Sequence, residues 1–281
     1  MPWTEITRPY YDRRFLRYAS DCTDEEWRLI APFLCRASKV GRPRTHSMRH
    51  IWNAISYIAT TGCQWAMLPK DFPPFTTVQY YFYRMRDCGL LDIINEALVS
   101  ASRLAVGRDA EPSAAIIDSQ SVKTTESGGI SGFDAGKKIK GRKRHIMTDT
   151  RGNLLYGTVH SADIQDRDGA VEVVSSTCQA WPTIGHLFAD GGYAGWKLQL
   201  ALLQTMEEPP AIEIVRRPNN ATGFAIIARR WVVERTFAWL GRCRRLAKDW
   251  EKTLSSSNAW LTIAAIRRQS RFIAKQIKSN T

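Results

Sequence analysis

The sequence predicts an α/β sheet domain covered by helices, preceded by a compact all-helical segment of about 105 residues. Three observations support this. Apolar residues recur at helical spacing through the first hundred positions. Short β-branched or apolar runs bounded by turn residues begin after Gly107-Arg108-Asp109. The last sixty residues return to helical spacing. The expected boundary separates residues 1–106 from 107–281.

In the helical part, residues 1–20 are aromatic and basic without a clear period. They read equally well as an arm that orders on a partner and as a loosely packed terminus. Thr23-Asp24-Glu25-Glu26 reads as a capping box opening a helix with Trp27, Ile30, Phe33 and Leu34 on its apolar face. Gly41-Arg42-Pro43-Arg44-Thr45 breaks that helix. A second helix runs from about Ser47 to near Gly62, with Ile51, Ile55, Ile58 and Ala59 on one face. After the Pro69–Pro74 turn, Thr76-Thr77 is expected to cap a third helix that ends at Gly89. A fourth follows at about Leu90–Ala105. Short helices with basic connections are compatible with helix-turn-helix DNA binding, although many small helical domains bind no DNA.

In the second part, Ala115–Ile117, Arg144–Met147, Leu154–Val159, His186–Ala189 and Ile212–Val215 read as five strands. Asp149-Thr150-Arg151-Gly152-Asn153 makes a hairpin turn between the second and third. Helices are expected at about Asp168–Gln179, Gly223–Ala247 and Asn258–Gln276.

The balance of 40 Lys+Arg against 27 Asp+Glu gives a net charge of +13, which favours a polyanionic partner. No amphipathic basic helix supports a membrane surface, and no apolar stretch is long enough to span one. The six cysteines are scattered without C-x-x-C spacing, and the five histidines do not cluster with them, which argues against a zinc site. The first thirty residues lack a signal-peptide core, so reduced thiols in a cytoplasm are expected. No P-loop, dinucleotide fingerprint or G-x-S-x-G motif is present.

Three acids stand out. Asp118 directly follows the apolar run Ala114–Ile117 and is expected at the open end of a buried strand. Asp190 follows Leu187-Phe188-Ala189 and precedes Gly191-Gly192, which lets the backbone turn away from the carboxylate. Glu234 lies in a helical stretch on a face with Arg230, Ala238 and Gly241, apart from the apolar stripe of Val233, Phe237 and Leu240. Turn aspartates and a surface Arg230–Glu234 ion pair are the competing readings. Together, three carboxylates delivered by two strands and a helix suit paired divalent ions and phosphodiester chemistry.

Two basic stretches flank these acids: Lys137, Lys138, Lys140, Arg142, Lys143 and Arg144, and Arg229–Lys248 with Arg230, Arg235, Arg242, Arg244 and Arg245. With Arg42, Arg44 and Lys123 they are the candidate DNA contacts, lining a phosphate-tracking groove. Asp163, Asp166 and Asp168 precede a helix, where N-capping and the helix dipole account for them, and His145, His160 and His186 read as structural histidines. Trp231, Trp239, Trp250 and Trp260 read as core.

The sequence resembles the bacterial insertion-sequence transposases of the DDE class, in the insertion sequence five family. The resemblance rests on Ile116–Lys123, Gly141-Arg142-Lys143-Arg144-His145, Phe188–Tyr193, Trp231–Phe237, and Trp65–Pro69 with Phe72-Pro73. It implies a ribonuclease H-like catalytic domain, with a mixed five-stranded sheet flanked by helices, behind a helix-turn-helix-like domain. It further implies that Asp118, Asp190 and Glu234 form a DDE triad holding two Mg²⁺ ions, with Mn²⁺ able to substitute. Arg230 matches an arginine position four residues before the glutamate, whereas Ile227 and Gly241 stand where a tyrosine and a lysine are expected. The implied activity is binding of terminal inverted repeats, cleavage at the element ends and joining of 3′-hydroxyl ends to target DNA. The implied partners are double-stranded DNA and further copies of the chain, in a homodimer or higher assembly beside the bacterial nucleoid. A metal-dependent nuclease of the same fold and a non-catalytic DNA-binding protein are the alternatives.

Overall fold

The computed structural model describes residues 12–34, 44–126, 128–215 and 231–279. Four helices come first: α1 (Asp24–Leu34), α2 (Met48–Thr61), α3 (Phe75–Asp87) and α4 (Leu90–Leu104). The capping box is present: the Glu26 N–H donates to Thr23 Oγ1 (3.2 Å) and the Thr23 N–H to the Glu26 carboxylate (3.3 Å). Arg13 adds a two-pronged ion pair to that carboxylate. Ser47 caps α2, and Gly62 closes it with a left-handed φ of 72°. The expected Thr76-Thr77 cap is not used. Pro74 occupies the cap position and α3 starts at Phe75, because a proline leads the chain in without an N–H to satisfy.

Six strands follow: β1 (Ala114–Lys123), β2 (Gly132–Asp134), β3 (Ile139–Asp149), β4 (Leu154–Ser161), β5 (His186–Ala189) and β6 (Ala211–Ile214). β1, β3 and β4 are antiparallel neighbours, whereas β5 and β6 continue the sheet parallel to β1. The order is thus β4-β3-β1-β5-β6, the mixed five-stranded arrangement expected. β2, a three-residue strand, pairs the first residues of β3 and makes a sixth. The Asp149–Asn153 turn forms as predicted, held by Asp149 Oδ1, which accepts from the N–H groups of Arg151 and Asn153.

Helices α5 (Asp166–Ala180), α6 (Trp196–Thr205), α7 (Trp231–Leu240) and α8 (Leu254–Ser279) cover the sheet. Alternation along the strands sends Ala115, Ile117, Leu187 and Ala189 into a core with α5 and α6. Ile116, Ile146 and Phe188 enter a second core with α7, α8 and the four N-terminal helices. One apolar core therefore joins the helical segment to the sheet, with α8 between them.

Two helix boundaries differ from expectation. The stretch expected to stay helical to Ala247 ends at Leu240, where Gly241 makes the last helical bond to Phe237. A 3-10 turn at Arg244–Leu246 follows, held by Arg245, which pairs with Glu251 and donates to the Cys63 carbonyl. These distant ties override the local helical preference. α8 begins four residues earlier than expected because Thr253 Oγ1 accepts from the Ser256 N–H, as a capping side chain does. Trp260 is buried as predicted, stacking on Phe82 at 4.6 Å between ring centres. Trp231 and Trp250 are instead exposed at the surface, and Trp239 is only half-buried. No described helix is long and apolar enough to cross a membrane.

Candidate active site

Asp118 and Asp190 are brought together by strand register. β1 and β5 pair with a constant offset, Ala114 opposite His186 and Ile116 opposite Phe188. The same offset carried two residues further sets Asp118 abreast of Asp190, about 4.8 Å away at normal strand spacing. Asp190 lies one residue past β5 and keeps extended backbone (φ −84°, ψ −179°), so the alternation continues through it. Both acids then face the side of Ile116 and Phe188. Asp118 is not at a strand end, since β1 runs on to Lys123 because β3 pairs with it to that point. The open edge is created instead by β5, which stops at Ala189.

α7 packs on that same side. Val232, Val233, Phe237 and Leu240 are buried in the core that holds Ile116 and Phe188, and Glu234 is exposed off this stripe. Among the described residues, no three His, Cys, Asp or Glu side chains stand close enough to hold an ion together. Glu234 is therefore on the same side of the sheet as the aspartate pair without closing on it. Gly192 bears on the fit of a cation: a Cβ there would lie 3.1 Å from Asp190 Oδ1, so glycine keeps that carboxylate unobstructed.

A polar network surrounds the pair. Asp118 Oδ1 accepts from the Ser119 N–H (2.7 Å), and Asp190 Oδ1 from the Gly192 N–H (2.8 Å). On the other face of β1, the Ser119 hydroxyl donates to Asp166 Oδ1 (2.7 Å). Lys143 Nζ also reaches Asp166 Oδ1 (2.8 Å), and Lys137 Nζ donates to the Ser119 carbonyl (3.1 Å). Burial pushes the Asp166 carboxyl upward, but hydrogen bonds from Lys143 and Ser119 outweigh it and hold the group below its usual range. Asp134, Lys137, Lys143, Asp163, Asp166 and Gly192 line a cleft of about 440 Å³.

Behind the acids runs a buried chain of hydrogen bonds. Ser161's carbonyl can only accept, so His160 Nδ1 carries its proton (2.9 Å). His160 Nε2 lies 3.4 Å from His145 Nδ1, and His145 Nε2 accepts from the Tyr193 hydroxyl (2.8 Å). Burial, with His160 adding to it, pushes His145 down to about 3. Burial raises Tyr193 well above its ordinary value, and the negative charges of Asp118, Asp166 and Asp190 raise it further.

The predicted basic contacts divide. Arg44, Lys123, Lys137, Lys138, Lys140, Arg242 and Arg244 are exposed. Arg42 and Arg230 lie outside the described residues, as does Ile227. Arg142, Lys143, Arg144 and Arg245 are buried, which corrects their reading as groove-lining phosphate contacts. β3 is covered on both faces, so side chains alternating along it all point into protein. Arg142 pairs with Asp249 (3.0 Å), and Arg144 donates to the Leu246 carbonyl (2.7 Å). Burial lowers Arg144 to about 10. Arg235 is half-buried, with Trp231 and Trp239 each about 4.5 Å from its guanidinium. The histidines are structural as expected, His186 meeting Glu213 at 2.9 Å.

The family described as "Transposase DDE domain" matches residues 109–267, more than half of the chain. The chain belongs to the DDE transposase family. The matched span runs from before β1 into α8 and contains Asp118, Asp190 and Glu234. A second family, "Putative transposase of IS4/5 family", matches residues 22–95, which hold α1 to α3 and the start of α4. The chain is also 28% identical over 130 residues to a Burkholderia cepacia protein described as "Putative transposase for insertion sequence element IS402". That alignment covers 44% of this chain and 60% of the relative's length. No solved structure matches the chain. For this DDE transposase-family chain, the sequence reading missed Asp166 and Tyr193 as members of the site. Asp166 was read as an acid that caps a helix or faces its dipole; Gln165 holds the cap position of α5, and Asp166 and Asp168 stand in its first turn, as the dipole reading has it. The available signal was Tyr193 standing three residues after Asp190.

Proposed function

We propose that the chain is a DNA transposase that binds the terminal inverted repeats of an insertion sequence, cleaves at the element ends and joins the 3′-hydroxyl ends to target DNA. The observation that most supports this reading is the shared register position of Asp118 and Asp190 on adjacent parallel strands, with α7 and its Glu234 on the same side of the sheet. The donor set is three carboxylates, the hard-oxygen chemistry that Mg²⁺ or Mn²⁺ takes. Asp118 and Asp190 would hold the metal between them, and Glu234 would complete the set. When bound, a pair of such ions activates the attacking water or 3′-hydroxyl and stabilises the leaving oxygen.

The chain's own residues then have distinct tasks. The Ser119 and Gly192 N–H groups each fix one aspartate oxygen, which sets the orientation of both carboxylates. Lys143 and Ser119 hold Asp166 ionised against β1. Lys138 and Lys140, exposed beside the cleft, contact backbone phosphates, as do Lys123, Arg242 and Arg244. Duplex DNA is the partner, the working assembly is a dimer or larger on DNA, and the compartment is the bacterial cytoplasm.

Asp118→Asn and Glu234→Gln are each expected to abolish cleavage and joining while sparing binding to element ends. Gel-based assays with pre-cut and uncut ends read both steps. Undiminished strand transfer by either variant would overturn the assignment, and cutting without joining by the wild type would leave a nuclease of the same fold.

A further inference from the structure

We infer that the outer face of α3, with Thr76, Gln79, Tyr80, Tyr83 and Arg84, is the surface that reads base pairs in duplex DNA. This rests on the proposal that DNA is the partner, and it says where sequence preference arises. A helix that enters the major groove must present donors and acceptors on an exposed face whose net charge does not oppose phosphate.

Among the described N-terminal helices, α3 alone does so. α2 is buried along almost its whole length. The outer face of α1 carries Asp24 and Glu25, and that of α4 carries Asp92, Ile93 and Glu96. α4 follows α3 through the short turn at Cys88-Gly89, so it would be the recognition helix in an ordinary helix-turn-helix order. Its exposed residues are Asp92, Ile93 and Leu104, and its one basic residue, Arg103, is buried, so it offers phosphate no cation and purine edges no donor.

On α3, Thr76, Tyr80, Tyr83 and Arg84 are exposed, and Gln79 is partly so. No acid occurs on the helix before Asp87, which Arg86 neutralises at 2.6 Å. The face is also ordered in advance. Gln79 Nε2 donates to the Tyr83 hydroxyl (3.1 Å), and the Arg86 guanidinium lies 4.7 Å from the centre of the Tyr83 ring. Gln79 retains its carbonyl and a second N–H for the edge of an adenine, and Arg84 suits a guanine. With Asp87 paired to Arg86, Arg84 leaves this face a net positive charge, which on a chain of net charge +13 complements the duplex.

The inner face ties this surface to the acids. Phe82 stacks on Trp260, and Arg86 Nη1 donates to Ser256 Oγ (2.7 Å). The loop leading into α8 reaches the other way: Asp249 pairs with Arg142 in β3 and bridges to Thr124, just past β1. Bases read by α3 are thereby held at a fixed distance from the strand that carries Asp118.

The test is selection from a random-sequence duplex library with the full-length chain, repeated for Gln79→Ala, Tyr80→Ala and Arg84→Ala. Arg28→Ala, on the exposed face of α1, serves as control. Fluorescence anisotropy then compares the selected duplex with a scrambled one, and thermal melting confirms folding. Each α3 variant should lose preference at one or two positions and bind the selected duplex roughly tenfold more weakly. Scrambled-duplex binding and the control should change little. If the α3 variants select the wild-type sequence with wild-type affinity, the α3 assignment fails and DNA remains the partner. If the wild type neither selects a sequence nor binds a duplex, the DNA reading itself fails.

Discussion

Arg142→Met separates the two roles that a basic run can have. Arg142 is completely buried, and its guanidinium meets Asp249 and the carbonyls of Ile130, Glu251 and Lys252 at 2.7–3.0 Å. Methionine keeps most of the stem's volume, so the loss is mainly electrostatic. Asp249 would retain the Ser257 hydroxyl and the Glu251 N–H but lose its counter-charge. Breaking a buried pair from one side costs about 3–5 kcal/mol, and each carbonyl that water cannot reach adds about 1–3 kcal/mol. A loss of roughly 4 kcal/mol or more is expected, a large part of a typical stability of about 5–15 kcal/mol. Urea titration should show the midpoint falling with the slope unchanged. Lys140→Ala, two residues earlier and exposed, should leave stability within about 0.5 kcal/mol. It should also lower the salt dependence of DNA binding by about one counterion. The reasoning is wrong if Arg142→Met costs under about 1 kcal/mol and itself lowers the salt slope.

Two further outcomes follow from the same region. His145 is held near 3 in the folded chain against an ordinary 6.5, so its contribution is complete above pH 6.5 and is lost as pH falls toward 3. Between pH 6.5 and 5, before most carboxylates titrate, wild-type stability should fall by up to about 1.4 kcal/mol per pH unit from this group. Melting curves of His145→Gln should show a shallower decline, and equal slopes would refute the buried neutral histidine. Gly141→Ala would drive a methyl group into the Val122 carbonyl and to within 2.9 Å of the Thr124 nitrogen. A loss of about 1–3 kcal/mol is expected in denaturant titrations, and an unchanged midpoint would show that β1 and β3 do not approach so closely.

The parts of the fold legible in the sequence were those set by local chemistry. Thr23, Ser47 and Gly62 mark helix ends through bonds to residues three or four away, and the Asp149–Asn153 turn is closed by its own first side chain. Features that depend on distant partners were missed. β2 exists through its pairing with β3, and the end of α7 is set by Arg245 reaching Cys63 and Glu251. α6 was missed because Trp196, Leu200 and Leu203 are exposed, which blurs its apolar stripe. The acids stood out because each follows or interrupts an apolar run. The fate of the basic residues was not: nothing local distinguishes Lys140, which faces solvent, from Arg142, which is sealed beneath the loop before α8.

That sealing bears on how the net charge of +13 works. Arg142 and Arg144 donate to carbonyls of residues 246–252, the loop that carries Asp249 and connects α7 to α8. Their charge is directed inward, fixing the helical side of the molecule to the end of β1. Near the acids, the exposed cations include Lys123, Lys138, Lys140, Arg242 and Arg244. Lys123 ends β1, Lys140 lies in β3 opposite Phe133, and Arg242 and Arg244 stand in the loop after α7. These positions adjoin the elements that bear Asp118 and Glu234. Buried cations thus hold the frame on which the exposed ones approach the acids, and a count of charges along the sequence mixes two functions that only the fold separates.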